Sequence, residues 1–175
     1  DLWRHSIGVA AGARLVAAHL GQNLASDAYH AGLLADIGKL AFEVLLRDQN
    51  FTSTHWSNRP FNVLEMEHFG VDHATLGAEM ARRWNFPVTL VDAIACHHRP
   101  SQAREGRLLA SAVHIADAAM MALGVGIGYD GLQYGLDPEA CKLMIWNEAN
   151  LINLVEQVIP FIEEADQVIR LRRSI

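Results

Sequence analysis

FGVDHATLGAEMARRWNFPVTLVDAIACHHRP, residues 69–100, decides how this chain folds. Asp72 stands where a helix N-cap belongs, and His73, Leu76, Met80 and Trp84 follow at helical spacing. Trp84 is expected in the core. Pro87 suits the first turn of a next helix running to His98, and Arg99-Pro100 ends it. The stretch is therefore two helices joined by a short turn.

The same pattern extends both ways. Residues 2–21 place Leu2, Ile7, Val9, Leu15, Val16 and Leu20 among many alanines and end at Gly21. A second helix is predicted from a Ser26-Asp27 cap through Arg47. Residues 50–60 are polar, end in proline and read as a loop. A short helix over 61–69 stops near Gly70. An alanine-rich helix covers 104–123 and ends at Gly124, and residues 124–135 read as a flexible connector. Asp137-Pro138 opens a further helix that Asn147 breaks. The last helix spans roughly 149–173, with a kink expected at Pro160. No run alternates with period two and β-branched enrichment. The expectation is a single all-α bundle domain over 1–175, with seven or eight helices.

Bulk properties narrow the function. A length of 175 residues suits one core, and a mean hydropathy of +0.10 is ordinary for a globular chain. No apolar run approaches the roughly 20 residues that span a bilayer. The net charge of −6 argues against a general nucleic-acid surface, which needs a basic face. It leaves room for a small phosphate-containing ligand. Cys96 and Cys141 make neither a metal pair nor a disulfide framework, so reduced thiols and a cytoplasmic setting are expected. The first residue is Asp1 and helical pattern follows at once, as expected of a cut from a longer protein.

Two acids lie in apolar surroundings, Asp36 in LLADIGKL (33–40) and Asp117 in HIADAAM (114–120). An ionised carboxylate on an apolar helix face is costly unless paired or bound to a cation. His5, His73, His97, His98 and His114 sit where helices could gather them with these acids, as helical bundles gather metal ligands. Imidazole with carboxylate suits zinc, iron, nickel or manganese. Adjacent helical residues point about 100° apart, so His97 and His98 are expected to diverge, toward two metals or a metal and a phosphate. Plainer readings stand beside these. Asp36 could pair with Lys39 or cap a neighbouring helix, His5 could be a hydrogen-bonded helix residue, and the His pair could answer the helix dipole. His19, His30, His55 and His68 read as surface or packing residues, and Trp146 as a core aromatic. Gly124, Gly126 and Gly128 follow a helix rather than a strand, so a dinucleotide loop fails its context.

LWRHSIGVAAGARLVA (2–17), AGLLADIGKL (31–40), the stretch 69–100 and LLASAVHIADAAM (108–120) occur in an order that resembles the HD superfamily, and within it the HDOD signalling subgroup. The resemblance implies an HD-like helical bundle, normally preceded by a further helical portion. It matches His5 to the first histidine, Asp36 to the aspartate of the His-Asp doublet, His73, His97 and His98 to the added histidines of the dinuclear branch, and Asp117 to the final aspartate. A mono- or dinuclear divalent metal centre (Fe, Mn, Zn, Ni or Mg) is thereby implied. Two departures weaken it. Ala35 occupies the histidine position of the doublet, so one ligand is gone and the metal could be absent. HHRP is not followed by the Gly-Tyr-Pro of the cyclic-dinucleotide phosphodiesterases, and GYDG at 128–131 lies beyond Asp117. The resemblance implies a bacterial regulatory module acting on a signalling protein or an attached output domain. The alternative is a metal-dependent phosphohydrolase with Asp36, Lys39 and His98 as catalytic groups, His73 being the other candidate acid. A third reading is a hydrogen-bonded remnant without metal.

Overall fold

The computed structural model describes residues 2–47, 60–125 and 135–172. Helices α1 (Leu2–Ala17), α2 (Gln22–Leu34), α3 (Gly38–Arg47), α4 (Phe61–Phe69), α5 (His73–Arg83), α6 (Val88–Cys96), α7 (Arg107–Ala122), α8 (Pro138–Leu143) and α9 (Glu148–Arg172) follow in order. No strand occurs among the described residues. The all-α expectation holds. Most of the predicted loop at 50–60 and of the connector at 124–135 lies outside the described residues.

Helix α7 is the axis. It is buried from Leu109 to Met121 almost without interruption. Helix α1 lies along it, with α2 packed on both, and α9 closes on α1. Small residues set these distances. A Cβ on Gly12 would meet the Ala116 Cβ at 2.9 Å, so α1 and α7 run nearly in backbone contact. That approach puts His5 of α1 opposite Asp117 of α7.

The predicted helix 26–47 is two helices. The first begins right after Gly21, whose φ of 124° suits glycine, and Ser26 and Asp27 lie inside it. It ends at Leu34, and residues 35–37 form a turn before α3. The cause is Gly38. A Cβ there would stand 2.0 Å from the His73 carbonyl oxygen and 2.8 Å from the Gly77 nitrogen. The start of α3 thus abuts the start of α5, a geometry one straight helix could not reach. The turn carries Asp36 toward His73.

The stretch 69–100 folds as predicted in outline. Gly70, at φ 71°, ends α4. Asp72 caps α5, accepting the Thr75 N–H at 2.8 Å. Helix α6 ends two residues early, at Cys96, and α7 starts at Arg107 rather than 104 because Asp92 Oδ2 accepts the backbone N–H groups of Arg104, Glu105 and Gly106. Trp84 is corrected. It is 51% exposed, not core. Helix α5 buries its small face, Ala74, Gly77, Ala78 and Ala81, while Trp84 caps the helix and stacks edge-on with Phe86 outside. Trp146 does pack against the core, and Pro160 lies within α9.

Replacing Gly38 with alanine forces backbone apart and is expected to cost about 3 kcal/mol or more. Urea denaturation checks this, and a midpoint equal to that of the unchanged protein would contradict the α3–α5 contact.

Candidate metal centre

Asp36 sits at the centre of the buried polar cluster. Its Oδ1 lies 3.2 Å from His73 Nε2 and 3.9 Å from His97 Nε2. Its Oδ2 lies 3.4 Å from His5 Nε2 and accepts from Lys39 Nζ at 3.1 Å. His5 Nε2 meets Asp117 Oδ1 at 2.8 Å, and His98 Nδ1 stands 3.9 Å from Asp117 Oδ2. His5, Asp36, His73, His97, His98 and Asp117, delivered by separate elements, therefore share one neighbourhood. The plain reading of Asp36 holds as well, since Lys39 does pair with it.

His97 and His98 do not diverge, contrary to expectation. Their ring centroids are 3.9 Å apart, and both face His73, with His98 Nε2 2.9 Å from His73 Nε2. His97 is the cap residue of α6, and His98 follows it in the turn that leaves the helix. One ligand nitrogen from each of His73, His97 and His98 lies within 4.8 Å of the others. Nitrogens about 2.1 Å from one zinc-like ion stand about 3.4 Å apart when tetrahedral. With Asp36 Oδ1, these residues span the distances of a four-donor centre.

The hydrogen bonds around the rings decide which nitrogens could donate to a metal. His97 Nδ1–H donates to the Ile94 carbonyl at 2.7 Å. Its Nε2 lone pair is then buried with no hydrogen-bond partner, an orphan that a cation would satisfy. His5 differs. Its Nδ1 faces the Val125 carbonyl at 3.0 Å and its Nε2 faces carboxylates, so in this arrangement both nitrogens donate protons. The His5–Asp117 half is closed on itself as an ion pair. In the half formed by His73, His97, His98 and Asp36, His97 Nε2 has no partner, and His73, whose Nδ1–H is held by Glu65, would release its Nε2 proton on binding an ion. Ala35, buried at the end of α2, offers only a methyl group.

Glu65 of α4 was missed by the sequence reading. It is fully buried, and its Oε2 accepts both the His73 backbone N–H at 2.8 Å and Nδ1–H at 2.6 Å. A carboxylate on the far nitrogen of a ligand histidine sets its tautomer and orientation. The available signal was an acid between Leu64 and Met66, like that of Asp36. His114 belongs to the frame rather than the cluster. Its Nδ1–H donates to the His97 carbonyl at 2.9 Å and its Nε2 accepts the Asp137 N–H at 2.9 Å. His19, His30 and His68 are exposed, as expected, and His55 lies outside the described residues.

Charge follows from these contacts. Burial opposes ionisation of Asp36, but Lys39 and then His73 outweigh it and hold the carboxyl well below its ordinary value. Burial likewise opposes charge on Asp117, and the His5 hydrogen bond overcomes it. Burial and Lys39 act against the His73 cation, yet the hydrogen bonds to Asp36 and Glu65 push its pKa up to about 9. His5 is raised too, by Asp117 against burial. His97 and His98 are lowered, first by burial and then, for His98, by the neighbouring imidazoles. Of the two histidines considered as acid, His73 holds the proton and His98 does not.

An all-α bundle with a buried histidine–carboxylate centre defines the class of this protein. The HDOD domain family matches residues 1–100, more than half of the chain, and the chain belongs to that family. Ribonuclease Y of Thermus thermophilus is 37% identical over 118 residues, which make up 67% of this chain and 16% of that enzyme. A provisionally assigned phosphohydrolase of Shewanella amazonensis shares the fold at TM-score 0.68 and 24% identity, over 95% of this chain and 64% of that one. The MmoQ response regulator of Methylococcus capsulatus does so at TM-score 0.52 and 24% identity, over 88% of this chain and 59% of that one. The chain thus spans less than a fifth of the ribonuclease and about three fifths of the two solved structures. No described helix is long and apolar enough to cross a membrane.

The metal-free protein is expected to be most stable near pH 6.5. His73 has its folded pKa raised from 6.5 to about 9, so its contribution is complete below 6.5 and lost as pH rises to 9. That shift amounts to about 3 kcal/mol. His97 and His98, lowered from 6.5, contribute above that value and lose their contribution as pH falls; Asp36 and Asp117 do so below 3.8. Denaturant midpoints of chelator-treated protein between pH 5 and 9 measure the profile, and stability still climbing at pH 9 would contradict it.

Proposed function

We propose that this HDOD chain is a bacterial, cytoplasmic signal-transduction module whose HD centre is degraded, and that it acts through an attached output domain or a partner signalling protein rather than by turnover. Ala35 carries this reading, because a methyl group stands where the family resemblance implies the histidine of the His-Asp doublet, while His5 and Asp117 pair with each other. The other half keeps Asp36, His73, His97 and His98, and we assign it one divalent ion. Three imidazoles and one carboxylate favour Zn, Fe, Mn or Ni over Mg. The likeness of the fold to a response regulator supports the signalling role.

The second reading is a phosphohydrolase acting on a nucleotide or phosphodiester. It is favoured by Lys39, whose ammonium is partly exposed beside Asp36 and lies 5.8 Å from the Phe61 ring centre, where a phosphate could meet it. A relative that is a ribonuclease also favours it. When bound, a divalent ion supplies Lewis acidity and lowers the pKa of water. Asp36 would orient, Lys39 would hold the phosphate as a point charge, and His73 rather than His98 would supply the proton.

Metal content and turnover together separate these readings. Elemental analysis of protein expressed in metal-rich medium should give about one transition-metal ion per chain, falling at least tenfold on His73→Ala. No hydrolysis should appear across a panel of nucleotides and cyclic dinucleotides. Turnover lost on Asp36→Ala and in chelator would replace the regulatory reading with the hydrolase. Absence of metal would leave a hydrogen-bonded remnant.

A further inference from the structure

The turn between α8 and α9 contains two features that folding alone does not explain. Ile145 has φ 52°, in the left-handed region where a β-branched side chain is sterically penalised. Helix α8 closes there, with the Trp146 N–H reaching the Cys141 carbonyl at 2.8 Å, and glycine or asparagine is the usual occupant of such a position. Burial offers no compensation, since Ile145 is 75% exposed. The next residue, Trp146, packs on the core, yet its indole N–H is shielded from solvent and has no hydrogen-bond partner. Buried indole N–H groups normally find one.

Both residues line a cleft of about 320 Å³ between the end of α1 and the start of α9. Its α9 wall is a row of carboxamides, Asn150, Asn153 and Gln157, over an apolar floor that includes Met144 and Leu154. Gln157 Nε2 donates to Asn153 Oδ1 at 2.8 Å, and Asn150 Oδ1 accepts the Asn147 N–H at 2.9 Å. The Asn150 and Asn153 amide N–H groups and Gln157 Oε1 remain as donors and an acceptor. No Asp, Glu, Lys or Arg lines the cleft and His19 is its one ionisable side chain, so it offers no fixed charge to a phosphate and a single imidazole to a metal ion.

We propose that this cleft, separate from the histidine centre, binds an uncharged purine base or nucleoside. Carboxamides pair with the donor–acceptor edge of adenine, and aromatic rings stack on bases. The volume falls at the small end of small-molecule sites. Strain of the Ile145 kind is characteristic of ligand clamps. The proposal does not depend on metal at the histidine centre.

The test follows the tryptophan indole N–H resonances of the whole chain, labelled with ¹⁵N, during titration with adenosine, guanosine, cytidine and uridine. Trp146→Phe assigns one resonance, and a purine nucleoside should move that one and leave the Trp84 signal in place. Asn153→Ala combined with Gln157→Ala, both exposed, should weaken binding about tenfold with Tm unchanged. Ile145→Gly should raise Tm by a few degrees while weakening binding, because it relieves the strained backbone and removes the clamp. The proposal is overturned if no nucleoside at millimolar concentration moves the Trp146 resonance. It is equally overturned if pyrimidines bind as tightly as purines, or if the amide double variant binds unchanged.

Discussion

A carboxylate taken out of water must be matched by positive charge, and Asp36 imposes that condition on the whole bundle. Desolvation of an ion costs several kcal/mol, which attraction offsets only when the partners are close and well oriented. The partners of Asp36 come from three places: His5 on α1, Lys39 on α3 and His73 on α5. These helices cannot move apart without stranding the charge. Gly38 permits the arrangement, because only a residue without a Cβ lets α3 begin against the His73 carbonyl. The break after Leu34, the angle of α3 and the approach of α5 are consequences of one buried charge.

Around that charge the cluster divides in two. On one side His5 and Asp117 neutralise one another. On the other, His97 holds a lone pair with no proton to accept, and Glu65 and His114 fix the rings and backbone about it. An enzyme centre needs reactive groups that change partners during a cycle. A centre half closed as an ion pair has fewer to offer, and this is the physical basis for favouring regulation over turnover.

The regulatory role we propose requires that the centre report its state. Its side chains come from α1, the 35–37 turn, α4, α5, the end of α6 and α7. A ligand that bound differently to two arrangements of these elements would shift the balance between them, which is all that allosteric coupling requires. The α8–α9 cleft lies on α1 as well, at the end remote in sequence from His5.

Much of the fold was legible because helices are written locally. Asp72 before a periodic run, Gly70 and Gly124 at helix ends, and Asp137-Pro138 each act through their own backbone, so element positions could be read in order. The acids Asp36 and Asp117 were legible for a similar reason, since charge among apolar neighbours is anomalous wherever the chain goes. Trp84 misled because helical spacing shows that residues share a face and cannot show which face is covered. Glu65 stayed hidden because its meaning lies in a contact with His73, and the His97–His98 geometry because it depends on where α6 ends. Local sequence determined the helices, their caps and the anomalous charges. Only the tertiary structure decided which side chains meet, because that turns on backbone approaches such as Gly38 against His73, set by steric contact between segments distant along the chain.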